Sequence, residues 1–151
     1  MSSEADGWRE VSVSVPYEPT VVMLGFYVLS LSWARLLTDR QEFEGVGISD
    51  TEVVIQVGPP VEPTGQAPDV RIAKVLSQTP TSLSLMAEPF DDQAPKVDVF
   101  VTAATPGNST LTVRHSPVDQ TRPALAARFA LWPEVLSGLP AAIEEHLRRM
   151  R

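Results

Sequence analysis

The side chains able to do acid–base or metal chemistry near neutral pH are two histidines, His115 and His146; the chain has no cysteine. That removes a thiolate nucleophile, a thiolate zinc site and a disulfide scaffold. Leu111, Val113 and His115 alternate with Thr110, Thr112 and Arg114, so His115 falls on the apolar face of a strand and points inward or to a pocket mouth. There an imidazole binds a ligand oxygen or moves a proton, unless it is simply a satisfied histidine at a strand end. His146 follows Glu144 and Glu145 and reads as solvent-facing on a helix end. With no third partner the two histidines make no convincing metal site, and neither a metal nor a cofactor is expected. Asp91 and Asp92 fall in a loop. Glu144 and Glu145, adjacent on a helix, point apart and form no catalytic dyad. No phosphate-cradling glycine loop, G-x-S-x-G elbow or H-E-x-x-H pair occurs. Arg114 reads as a solvated rung of an edge strand, and Trp132 as an anchor pinning a helix or as a surface for ligand stacking. No catalytic residue is assigned, and enzymatic activity stays open.

These residues need elements to position them. The 151 residues suit one domain spanning 1–151, with the polar stretch 1–7 expected to be flexible. Twelve basic against nineteen acidic residues leave a net charge of -7, which argues against nucleic acid and against an anionic membrane surface. Fourteen prolines against eight glycines imply stiff connections and edge strands rather than long unbroken helices. Met1 to Gly7 has no basic n-region and precedes no cleavage pattern, so no signal peptide is read. Between Glu18 and Arg35 lies an uncharged run, Pro19 to Ala34, of 16 residues diluted by Gly25, Ser30 and Ser32. A spanning helix needs about 20 apolar residues, so no membrane span is expected, and the cytoplasm is the expected location.

Val11, Val13 and Val15 alternate with serines as a half-buried strand stopped by Pro16. The Pro19–Ala34 run follows at helical spacing but is apolar nearly all round, so it is deeply buried or packs on a partner. The RQEFEG stretch reads as a second short helical turn ending at Gly45 and Gly47. Strands are expected at 51–57, 69–77, 81–87, 96–102 and 109–116, with a long proline-rich connection over 58–68 and a Pro106-Gly107 hairpin turn. From Trp132 the period changes: Val135, Leu136, Leu139, Ile143 and Leu147 form one helix face, which Pro140 should kink or split. The layout is α+β: a curved antiparallel sheet of about six strands gripping a long C-terminal helix, with a helical segment after the first strand.

The segments AKVLSQTPTSLSLMAEP, KVDVFVTAATPGNSTLTVRHSPV and LWPEVLSGLPAAIEEHL, together with LLTDRQEFEG, resemble the SRPBCC superfamily, the START-like helix-grip fold. Within it they are most similar to the C-terminal-like domain of activators of heat-shock-protein-90 ATPase. The resemblance covers about residues 9 to 148 and departs at the Pro19–Ala34 run, where the family has a shorter, more amphipathic helix. It implies an apolar or amphipathic small molecule bound between sheet and closing helix. Val57, Ile72, Leu85, Val99, Val101, Val113, His115, Trp132 and Leu136 are the expected ligand-binding residues. A second possibility is a protein-interaction module, co-chaperone-like or an acidic dimeric chaperone, with a homodimer formed through Val21 to Leu31. A third is a polyketide-cyclase-like enzyme, which would need a second polar group beside His115.

Overall fold

In the computed structural model, residues 8–57, 69–87, 94–118 and 121–150 are described. The expectations for 1–7, for the 58–68 connection and for Asp91 and Asp92 lie outside those residues. The first strand, β1 (Arg9–Val15), leads through Pro16 into α1 (Pro19–Val28) and α2 (Ser30–Ala34). Six strands follow: β2 (Gly45–Ile48), β3 (Glu52–Gln56), β4 (Asp69–Thr79), β5 (Ser82–Ala87), β6 (Lys96–Thr105) and β7 (Asn108–His115). The chain closes with α3 (Pro123–Phe129), α4 (Trp132–Leu136) and α5 (Leu139–Arg149).

All neighbouring strands pair antiparallel in the order β1-β7-β6-β5-β4-β3-β2. Register shifts in β3–β4, β4–β5 and β6–β7 bend the ladder, because a bulge adds local twist, and the sheet curls into a half-barrel. At the β6–β7 hairpin, Gly107 takes φ +79, a left-handed conformation that glycine adopts without a Cβ penalty.

The apolar run after β1 owes its lack of a polar face to its position. α1 lies over β6 and β7 on one side and is crossed by α5 on the other. Val22, Met23 and Phe26 are buried in the core, and Gly25 sits at the crossing, where a Cβ would collide with Ile143 and press on Leu139. Phe26 stacks on Trp33 at 5.0 Å between ring centroids and on Trp132 at 6.4 Å. The Trp33 indole N–H donates to the Phe26 carbonyl at 2.9 Å, so its polar atom is satisfied while the ring is dry. Each of these rings adds roughly 1.5–3 kcal/mol of burial. One stripe of the run stays outside: Leu24, Val28 and Leu31 are 46%, 43% and 39% exposed. No helix among the described residues is long and apolar enough to cross a membrane.

Two expectations need correction, on the strand count and on Arg114, while the expected split of the closing segment holds. The sheet has seven strands rather than six, and the extra one lies where RQEFEG was expected to end a helical turn. Residues 38–44 are irregular; Gly45–Ile48 pairs with β3, and the Glu44 N–H donates to the Gln56 carbonyl at 2.9 Å. The open edge of β3 supplies partners that local propensity does not foresee. The long closing helix is divided: the α4 turn ends at Leu136, and Pro140 stands in the first turn of α5, which runs for 11 residues. A proline there forfeits no intrahelical bond. Arg114 is not on an edge strand, because β7 lies between β1 and β6; its guanidinium covers the Trp8 ring at 4.9 Å.

Candidate ligand cleft beside β1 and β7

Alternation along paired strands decides which side chains face the helices. Arg9, Val11 and Val13 stand opposite His115, Val113 and Leu111, and paired residues share a face. That face is the inner one, since Leu111 and Val113 are fully buried. At this end of the sheet the layer is not closed. A cleft of about 630 Å³ opens between β1, the end of β7 and the α3–α4 segment, walled by Arg9, Val11, His115, Phe129, Trp132 and Pro133, among others. The volume lies in the range of small-molecule sites.

Two residues of this wall carry a polar atom with no hydrogen-bond partner among the described residues. His115, 8% exposed, places Nδ1 2.9 Å from the Ser116 carbonyl. A carbonyl only accepts, so the proton sits on Nδ1 and Nε2 is left as an acceptor. The ring meets Phe129 edge-on, with 4.9 Å between centroids and 88° between planes. Burial lowers the imidazole pKa; the bond to Ser116 opposes this and the Arg9 charge adds to it. The ring is therefore held neutral. The second atom is the Trp132 indole Nε1, buried with no hydrogen-bond partner among the described residues. An unmade bond of this kind costs about 1–3 kcal/mol.

Of the nine residues expected to bind ligand, His115 and Trp132 line this cleft. Ile72, Leu85, Val99, Val101, Val113 and Leu136 are buried in the hydrophobic core, and half-buried Val57 packs against it. The inner space they were expected to border is occupied in large part by α1, whose Val22, Met23 and Phe26 join the same core. Sequence reasoning missed Arg9 and Phe129. Arg9 was findable, since it continues the two-residue period of Val11, Val13 and Val15 by one step; Phe129 carried no such signal. Among the described residues no group of three His, Asp or Glu side chains could hold a metal ion.

No protein-family model and no curated protein matches the sequence. Solved structures do match. A protein from Nitrosomonas europaea is 11% identical with a TM-score of 0.61, the alignment covering 97% of this chain and 99% of that one. The Aha1 dimer from Colwellia psychrerythraea is 14% identical with a TM-score of 0.54, over 91% and 96% of the two chains. A START superfamily protein from Mycobacterium smegmatis is 15% identical with a TM-score of 0.50, over 95% and 99%. With the curled antiparallel sheet, the helices inserted after β1 and the closing C-terminal helix, these likenesses show that the chain has the START-like helix-grip fold.

Proposed function

We propose that this protein binds an apolar or amphipathic small molecule in the cleft between the β1–β7 end of the sheet and the α3–α4 segment. The observation that carries this reading is an open, mainly apolar cleft lined by His115, whose Nε2 is left as an acceptor, and by Trp132, whose buried indole N–H has no partner among the described residues. Buried polar groups are normally satisfied, and a ligand with a hydroxyl and a carbonyl or similar oxygen supplies both partners. Phe129 and Pro133 offer its hydrocarbon part a dry wall, and Val113 and Leu136 back the site from the core. The test uses the neutral dye N-phenylnaphthylamine with the wild type and with Ala126→Phe, which fills the cleft. Saturable fluorescence enhancement in the wild type, lost in the filled variant, is the expected result. Absence of saturable binding, or equal binding by the filled variant, overturns the reading.

A second proposal rests on α1. Leu24 and Val28, four residues apart on α1, and Leu31, at the start of α2, are all more than a third exposed and leave apolar surface along this segment. We propose that this surface is the contact of a homodimer. Sedimentation at micromolar concentration should show a dimer that Leu24→Glu with Val28→Glu converts to a monomer; a monomeric wild type rejects the interface.

A further inference from the structure

The cleft has a charge as well as a shape. Arg9 lies on the edge strand at its mouth, on the inner face directly opposite His115. Five other arginines have side-chain partners: Arg128 pairs with Asp39, Arg148 and Arg149 pair with Glu145, and Arg35 and Arg114 lie over Phe43 and Trp8. The Arg9 side chain has no hydrogen bond, ion pair or ring contact among the described residues. The neighbouring carboxylate does not cancel it. Glu10 also borders the cleft, but successive residues of a strand point to opposite faces, so it stands opposite Arg114 in the ladder while Arg9 is on the face of His115. The imidazole beside it is neutral and contributes an acceptor but no charge. The cleft is thus a mainly apolar hollow whose rim carries a guanidinium that forms no ion pair among the described residues, in a chain whose net charge is -7.

Resting on the cleft reading above, we infer that the ligand is an amphipathic organic anion, its carboxylate or sulfonate head at Arg9 and its apolar body along Phe129 and Trp132. A guanidinium presents parallel N–H groups that match such a head with two bonds. A neutral ligand of the same skeleton would leave that donor fork to water.

Two dyes of one skeleton separate the terms: anilinonaphthalenesulfonate carries the anionic head and N-phenylnaphthylamine lacks it. Titration of the wild type should show the sulfonate bound about tenfold more tightly, an advantage of the size a charge-assisted bond supplies. Arg9→Gln should abolish the difference, and Arg9→Lys should restore part of it, because lysine keeps the charge without the fork. Added salt should weaken only the sulfonate. Arg9 is an exposed residue at a strand end, and circular dichroism of the variants confirms the fold. Equal affinity of the two dyes in the wild type, or an Arg9→Gln variant that keeps the preference, overturns the anion inference while the cleft reading stands. Failure of N-phenylnaphthylamine to bind saturably overturns the cleft reading and the inference with it.

Discussion

Arg9 and His115 stand directly opposite each other across the β1–β7 ladder, with a guanidinium and a largely buried imidazole on the same inner face. The pairing adds to the effect of burial on the imidazole. Burial is the larger cause that lowers the His115 pKa from its ordinary 6.5, and the nearby positive charge of Arg9 acts in the same direction.

Folding stability should therefore depend on pH through this residue. The folded state binds the His115 proton less readily than the unfolded chain does, so stability rises with pH wherever the unfolded chain holds more protons. The contribution is fully present above about pH 6.5, the unfolded value, and is lost as pH falls through the lower folded value. Urea denaturation of the wild type and of His115→Gln across this range should show the wild type losing stability relative to the variant on acidification. A constant difference between the two curves would contradict the assignment.

The two buried tryptophans differ in one bond. Trp33 and Trp132 are 0% and 1% exposed, yet only the Trp33 N–H has an acceptor. Replacement by Phe removes similar volume in both cases. At Trp33 it also removes a made hydrogen bond, whereas at Trp132 it removes a buried donor with nothing to bond. Trp33→Phe should cost about 2 kcal/mol more than Trp132→Phe in the ligand-free protein. Equal costs by chemical denaturation would show that the Trp132 N–H finds a partner in solution.

Gly25 makes the approach of α1 and α5 possible. Alanine there would gain about 1 kcal/mol of helix propensity in isolation. Its Cβ would meet Ile143, which is fully buried. Overpacking of this kind costs about 1–3 kcal/mol, so Gly25→Ala should be net destabilising. Combining it with Ile143→Ala should give less than the sum of the two single losses, a non-additivity expected of residues in contact. Additive losses would place the strain elsewhere.

The sequence by itself determined the alternating strands, because a two-residue period of valines and leucines against serines and threonines is stable in one register only. It located the Pro106-Gly107 turn, for which Gly107 supplies the positive φ, and the apolar face of the closing segment. It also placed His115 inward, two residues beyond Val113, and the structure buries it. Gly45–Ile48 was illegible, since four residues with two glycines carry little strand preference and pair because β3 offers them an edge. The open cleft was illegible for a related reason. Which inner residues become core and which border free space depends on where α1 and α4 settle on the sheet. Periodicity ranked Leu85, Val99 and His115 alike as inward; only the helices, packed over β6 and β7, buried the first two in the core and left His115 at the cleft beside Arg9. Local pattern fixes the face of a side chain, whereas free space on that face is a property of the whole packing.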